Sequence, residues 1–282
     1  MKRVIRWAGL GLAGLVTVVL FAGLGAFAAS EVLFRRSYPK AETQLVAARD
    51  PGAVERGRRV ALINGCHDCH GKDLDGRMFH DEMPIFRGYG PNLTLAAAEQ
   101  SDGELDSAIR HGVAADGRSL WIMPSEAFAE LTDQETSDLL AYIRSFPVKG
   151  EEQPRSQIGP VGRLGLILGK FHSAPQMLRL DADRYRPDLG PTYAKGREVA
   201  RACTECHGKD LRGREALKAP DLDVAAAYSP QDFATLLRTG VPPTGRDLGL
   251  MSGVARDRFS HLSDDEVAAL YEYLRARADK GV

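Results

Sequence analysis

Five consecutive residues, Cys66-His67-Asp68-Cys69-His70, spell C-x-x-C-H, the spacing at which two thiols and an imidazole take up a c-type haem. Thioether bonds from both sulfurs to the vinyl groups would fix one edge of the porphyrin and carry His70 onto an axial face of the iron. A second copy, Cys203-Thr204-Glu205-Cys206-His207, uses the only other two of the chain's four cysteines. None is left for a disulfide or a catalytic thiol. A bare C-x-x-C also fits a zinc ribbon or a thioredoxin-like pair. Here His and then Gly follow at once in both copies, and no β-α-β pattern surrounds either. The reading is two covalently bound c-type haems.

An iron held by one His needs a sixth ligand if it is to carry electrons, because an open position invites oxygen or peroxide chemistry. One methionine follows His207: Met251, 44 residues on. The first motif is followed by Met78 and Met83, 8 and 13 residues after His70, too close for the chain to circle the haem, and by Met123, 53 residues on. Met123 and Met251 are therefore the expected axial ligands, in loops, opposite His70 and His207. His/Met ligation raises the reduction potential. The remaining histidines, His67, His80, His111, His172 and His261, have no counterparts in the other copy; His80 and His111 are the first alternatives to Met123. Pro91 and Pro220 are candidates to pack on the axial histidines, a backbone carbonyl taking the other ring N–H. Arg118 and Arg246, duplicated, are candidates to bind a propionate through both nitrogens, although a surface salt bridge explains them too.

The elements that must position these residues are written twice. Arg110, Gly112, Val113, Gly117, Arg118, Leu120 and Met123 return 128 positions later as Arg238, Gly240, Val241, Gly245, Arg246, Leu248 and Met251. Beyond Met123 the offset becomes 131, pairing Phe128 with Phe259 and Tyr142 with Tyr273. Upstream, Gly71-Lys72-Asp73-Leu74 answers Gly208-Lys209-Asp210-Leu211, and Gly90-Pro91-Asn92-Leu93 answers Ala219-Pro220-Asp221-Leu222. The first copy carries about eight extra residues around Met78 to Arg87. A fixed internal offset is the mark of tandem duplication.

Each copy reads as helices and loops. Asp50-Pro51 opens a helical run to Ile63. Ser101 with Glu104, Thr132 with Glu135, and Ser263 with Glu266 are capping boxes ahead of apolar helix faces, and Ser229-Pro230 starts another helix. Gly112 and Gly240 supply stops. No run of strand alternation stands out, so both domains are expected to be mainly α. The expected divisions are an anchor and tether over 1–49, a first domain over 50–147, a linker over 148–191 and a second domain over 192–282. Within the linker, Val161 to Leu180 is too charged to span a membrane but suits the surface of one, or packing between the domains.

Lys2, Arg3 and Arg6 precede an uncharged run from Trp7 to Ser30, 24 residues long and enough to cross a bilayer as a helix. A retained anchor is the expectation; Ala26-Phe27-Ala28 keeps a cleaved leader open. Positive charge lies on both sides of the run, so the distribution of Lys and Arg decides no orientation. The formal net charge is −1, which gives no reason to expect nucleic acid. It is unevenly spread: residues 51–147 hold nine Lys/Arg against sixteen Asp/Glu, and 192–282 hold fourteen of each. An acidic face steers basic partners at low salt, and a solvated surface is the plainer account.

These residues resemble a known family, tandem class I cytochrome c domains as in membrane-anchored dihaem cytochromes c of bacteria. The resemblance covers about residues 50–147 and 192–278, through C-H-D-C-H-G, G-P-N-L-T and M-P-S-E-A-F in the first domain and C-T-E-C-H-G, A-P-D-L-D and the Met251 loop in the second. It implies three to five helices around each haem, with the first and last crossing where Gly57 meets Tyr142 and Gly196 meets Tyr273. It also implies haem attachment outside the bacterial cytoplasm, which sets residues 31–282 in the periplasm, tethered to the inner membrane by a single pass. The longer loop at Met78 to Arg87, and Ser252 in place of a proline after Met251, depart from the family pattern.

The leading function is transfer of single electrons between a dehydrogenase or quinol-oxidising complex and a cytochrome or terminal oxidase, with redox proteins as partners and no small-molecule substrate. Two other readings stand beside it: a dihaem enzyme such as a peroxidase with one open iron, and a permanent cytochrome subunit of a membrane dehydrogenase complex.

Overall fold

The start signals at Ser101, Thr132, Ser229 and Ser263 each cap a helix in the computed structural model, and the helix expected from Asp50-Pro51 begins two residues later at Ala53; the structure describes Lys2–Gly281, and Met1 and Val282, the outer ends of the expected anchor and second domain, lie outside the described residues. Helix α1 runs over Lys2–Phe34 and α2 over Ala53–Ile63, and the first haem motif is itself a short helix, α3, Cys66–His70. Strands β1 (Arg77–Glu82) and β2 (Phe86–Gly90) follow, then α4 (Leu93–Glu99), α5 (Asp102–His111), α6 (Ser125–Phe128) and α7 (Asp133–Arg144). The capping boxes of Ser101 with Glu104 and Thr132 with Glu135 close as expected, and Gly112 ends α5 in the left-handed conformation.

The eight extra residues of the first copy are where the helical expectation gives way. They form an antiparallel hairpin, β1 on β2, extended by β3 (Gln157–Ile158). The first strand is short and mostly exposed, so no long apolar alternation announces it. Residues 148–191 also carry more structure than a tether. Besides β3 they hold α8 (Pro160–Ile167) and α9 (Ala174–Leu180); α8 lies against α1, and α9 against α5 and α6.

The second copy then repeats the first. Helix α10 (Ala194–Val199) leads through a 3-10 turn into the second motif, α11 (Thr204–His207), followed by α12 (Pro230–Thr239), α13 (Leu250–Asp257) and the capped α14 (Asp264–Lys280). The duplication extends to single hydrogen bonds. Arg110 donates to the Leu131 carbonyl and Asp133; Arg238 donates to the Leu262 carbonyl and Asp264. Leu74 and Leu211, both fully buried, sit at φ 57° and 62°, a conformation non-glycine residues seldom adopt.

Each core is built on one helix crossing, α2 on α7 and α10 on α14. A Cβ at Gly57 would stand 1.9 Å from the Asp138 carbonyl oxygen and 2.8 Å from Tyr142 Cβ; at Gly196 it would stand 2.1 Å from the Ala269 carbonyl oxygen and 2.6 Å from Tyr273 Cβ. Only glycine lets the helices approach this closely.

The two domains are joined by ion pairs. Arg201 donates to Glu135 at 2.9 Å and to the Glu130 carbonyl at 3.0 Å. Arg186 pairs with Glu130, Arg59 with Glu266, and Arg214 bridges Glu126 at 3.5 Å and Asp181 at 2.9 Å. Much of the acidic excess of the first domain is thus met by arginines of the second half.

Helix α1 is not a free extension. Ser30 near its end is fully buried, Arg163 of α8 donates to Ser30 Oγ at 2.8 Å and to Glu31 at 2.6 Å, and its guanidinium lies 4.2 Å from the Phe27 ring centre. Trp121 donates to the Phe34 carbonyl at 3.0 Å. The helix is long and apolar enough to cross a membrane, a property a leader sequence shares.

Gly57→Ala forces a methyl into a backbone carbonyl that cannot move aside. It should destabilise the first domain by roughly 3 kcal/mol, read as a lowered first transition in thermal unfolding with the second domain's transition unchanged. The docking contacts respond to pH. Burial works to raise the carboxyl of Glu135, yet the Arg201 guanidinium outweighs it and holds the group below its ordinary value; Glu130 is held low in the same way by Arg186 and Lys209. A depressed carboxylate contributes stability above its unfolded pKa, about 4.3, that is lost as pH falls through the folded value. Domain docking should therefore loosen below about pH 4, seen as faster amide exchange at residues 130–136 and 199–204 once intrinsic rates are corrected for.

Candidate functional site

The attachment helices are short because glycines in the left-handed region of φ bound them. Gly65 at φ 68° and Gly71 at φ 84° flank α3, and Gly208 at φ 80° follows α11. Behind each motif the chain turns through the buried Leu74 or Leu211, and the Gly76 and Gly213 amides donate to the His70 and His207 carbonyls, each at 2.8 Å. Gly90, closing β2, presses on α3 so tightly that a Cβ there would lie 2.0 Å from the Cys69 carbonyl oxygen.

This scaffold delivers two equivalent imidazoles. Nδ1 of His70 lies 2.9 Å from the Pro91 carbonyl oxygen, and Nδ1 of His207 lies 2.8 Å from that of Pro220. Both residues are more than nine-tenths buried, and no hydrogen bond engages Nε2 of either among the described residues. Burial pushes both imidazoles below the ordinary histidine value, against the opposing carbonyl hydrogen bond. Each therefore stays neutral with Nδ1–H donating, and Nε2 keeps a free lone pair.

Sequence reasoning did not find what holds those carbonyls in place. Asn92 is buried; its Oδ1 caps α4 by accepting from the Thr94 amide at 2.9 Å, and its Nδ2 donates to the Lys149 carbonyl at 2.7 Å. Asp221 stands at the matching place, accepting from the Asp223 amide at 2.9 Å and from the wholly buried Arg277 at 2.9 Å. The repeat alignment pairs Asn92 with Asp221; a helix-capping residue directly after the proline was the available signal.

The sulfurs suit covalent haem better than the other C-x-x-C chemistries. Burial pushes Cys66 and Cys203 up to about 12 and Cys69 up to about 11, and raises Cys206. A thioredoxin-like nucleophile needs the reverse. Among the described residues no group of three or more His, Cys, Asp or Glu has the arrangement to hold a metal ion. Free Nε2 lone pairs, paired free thiols on one helical turn and a methionine beside each core fit the haem.

Met123 is half-buried against the first domain's core, whose neighbours include Cys66; Met251 is half-buried against the second's, whose neighbours include Cys203. Met123 lies in the expected loop before α6, whereas Met251 lies in the first turn of α13 rather than in a loop. The serine that stands where the family pattern has proline does structural work of its own. Ser252, buried, donates to the Gly240 carbonyl at 2.6 Å and accepts from the Leu248 amide at 3.0 Å, tying the Met251 turn to the end of α12. Met78 and Met83 are exposed on and after β1. His80 is exposed and lies 3.3 Å from Glu82, and His67 lies 3.2 Å from the Tyr142 hydroxyl. Arg118 pairs with Asp116 at 3.2 Å, and Arg246 is exposed in the loop before α13.

The cytochrome c family model matches residues 54–147 and 193–278. Over 96% of its length this chain is 26% identical to the fructose dehydrogenase cytochrome subunit of Gluconobacter japonicus, of which 60% is covered. Over 80% of its length it is 25% identical to the gluconate 2-dehydrogenase cytochrome c subunit of Pantoea cypripedii, of which 60% is covered, and 24% identical to the alcohol dehydrogenase (quinone) cytochrome c subunit of Gluconacetobacter polyoxogenes, of which 56% is covered. The chain thus spans less than two thirds of the length of these relatives. With both haem motifs inside the two matched segments, each with its imidazole tied to a proline carbonyl, the chain belongs to the cytochrome c family, in which it carries two tandem domains.

Proposed function

We propose that this chain is a membrane-tethered dihaem electron carrier. It takes single electrons from a dehydrogenase or quinol-oxidising complex and passes them to a cytochrome or terminal oxidase, its haem domains in the periplasm. The observation that carries this reading is the twofold recurrence of one site: a buried neutral imidazole with Nδ1 tied to a carbonyl, thiols on the same turn, and one methionine packed beside each core. Bound haem supplies a one-electron iron couple whose potential depends on its axial ligands and surroundings.

The chain's own residues do the rest. His70 and His207 are the proposed proximal ligands through Nε2, held in orientation by Pro91 and Pro220. Met123 and Met251 are the proposed distal ligands. Cys66, Cys69, Cys203 and Cys206 anchor the two groups covalently. Arg118 and Arg246 remain the proposed propionate partners, although Asp116 already engages Arg118. With a histidine and a methionine available to each iron, both coordination sets would be closed to peroxide, which favours a carrier over an oxidising enzyme.

Membership of a larger assembly is supported by the relatives, each a cytochrome subunit of a dehydrogenase by name. We infer that the partner is a membrane dehydrogenase. The packing of the Arg163 guanidinium over the Phe27 ring supports a retained anchor, since cleavage after Ala28 would remove that ring. Val161, Leu164, Leu168 and Phe171 are exposed on and after α8, beside α1, which supports seating the first domain at the bilayer surface.

The test is an absorption spectrum of the reduced, detergent-solubilised protein with and without carbon monoxide, haem being quantified per chain in the same sample. The expected result is two haems per chain and no spectral change. Carbon monoxide binding to one haem would mean an open iron and would move the enzyme reading ahead. Met251→Ala should open one position and make half of the haem responsive to carbon monoxide, with a fall in that haem's potential.

A further inference from the structure

The side chain of Arg258 runs between the two haem-attachment helices and touches both. Its Nε donates to Asp68 Oδ2 at 2.7 Å and its Nη1 to Glu205 Oε2 at 2.5 Å. Asp68 and Glu205 hold the same place in the two motifs, immediately before the second cysteine. One guanidinium therefore grips one residue of each C-x-x-C-H, from the second domain across to the first.

The surroundings of Arg258 are built for this contact. Its side chain is 12% exposed, far less than that of a surface ion pair. The guanidinium lies on the backbone of Gly65, where a Cβ would come within 2.2 Å of it; the turn leading into Cys66 is shaped to admit it. Arg258 is itself fixed by the helix that begins with Leu250 and Met251, its amide donating to the Val254 carbonyl at 2.9 Å. Around it the seam is closely packed. Ile63 of α2 reaches the second domain's core, the turn Phe259–His261 packs on α2, and α11 packs on α6. The planar fork of arginine can hold two carboxylates at fixed angles, which an ammonium cannot.

We propose that Arg258 is a positioning residue for electron transfer between the two haems: it docks the two attachment helices on one another and places one positive charge beside both. This rests on the carrier reading above. Thioether bonds would tie one porphyrin edge to each attachment helix, so docking the helices would bring the two attachment points to a common seam, as a direct hop requires. A nearby fixed positive charge favours the reduced iron, which carries one positive charge fewer, so it raises both potentials together. Without the guanidinium, Asp68 and Glu205 would leave two negative charges across the same seam.

The experiment uses the full chain in detergent. Arg258→Met is compared with wild type for haem per chain, for the two midpoint potentials by redox titration, and for the rate at which the haems equilibrate after rapid photoreduction. The expected result is two haems retained, both potentials lowered by roughly a tenfold change in each oxidised-to-reduced ratio, about 59 mV for a one-electron couple, and inter-haem equilibration slowed by roughly tenfold or more. Arg258→Lys keeps the charge and loses the fork, so potentials should recover while the inter-haem rate stays slow. The double variant Asp68→Asn with Glu205→Gln should raise both potentials. If Arg258→Met does not accumulate with haem, the lysine and double variants carry the test alone.

Potentials and inter-haem rate that do not move in variants holding both haems overturn the proposal, leaving Arg258 a domain clamp. A shift confined to the second haem also overturns it, because the guanidinium would then serve one domain. The carrier reading fails separately and earlier, in the wild-type haem count and carbon monoxide response.

Discussion

A buried imidazole whose Nδ1 is tied to a backbone carbonyl has one nitrogen left to give, and both halves of this chain are built to hold that condition. The carbonyl must belong to a residue with a fixed backbone, which proline at 91 and 220 supplies. The loop carrying it must be pinned from behind, which the caps of Asn92 and Asp221 supply. The histidine must approach from the opposite side on a short helix, which the left-handed turns at Leu74 and Leu211 and the glycine amides at 76 and 213 secure. Remove any of these and the imidazole can rotate, gain a proton or meet water. Each would cost the iron a ligand or change its potential.

Covalent attachment of haem, as the family membership implies, would explain why so small a core suffices. Thioether bonds from the paired cysteines would tether the haem at high effective concentration, and the porphyrin would then act as a large apolar side chain. The protein then has to close helices around it rather than build a core without it. This is the role of the crossings at Gly57 and Gly196, where backbone touches backbone and a tyrosine of the partner helix covers the contact. The methionines pack beside the same cores as the thiols, so the proposed ligand and the proposed attachment point are positioned by one set of contacts.

Much of this was legible in the sequence because the information is local. C-x-x-C-H, the capping boxes and the stop glycines each lie within a few residues, and the duplication repeated the haem motif, the stop glycine and the capping box of the last helix. The Gly–Tyr crossings were legible only through family resemblance, since 85 residues separate Gly57 from Tyr142. What could not be read was non-local or unduplicated. The β1–β2 hairpin has no twin in the second domain and no apolar alternation, and β3 joins it from a segment that composition marks as linker. Ser252 read as the loss of a proline, whereas its hydroxyl restores the tie that fixes the turn. The acidic excess of residues 51–147 read as a solvated or partner-facing surface. In the folded chain Asp68, Glu126, Glu130 and Glu135 pair instead with the second half's arginines, and nothing in a linear charge count distinguishes an internal partner from an external one.

That complementarity bears on how two copies of one domain come to act together. After a duplication the copies are alike, and like surfaces carry like charges, so docking them requires one to change sign. Here the positions before the second cysteine remained acidic in both copies, and the compensating charge came from a residue with no charged counterpart in the first domain: Ala127 stands at the aligned place 131 positions before Arg258. A single guanidinium, contributed by the second domain alone and bonded to the same position of both motifs, answers both carboxylates at once and gives the two copies a shared seam.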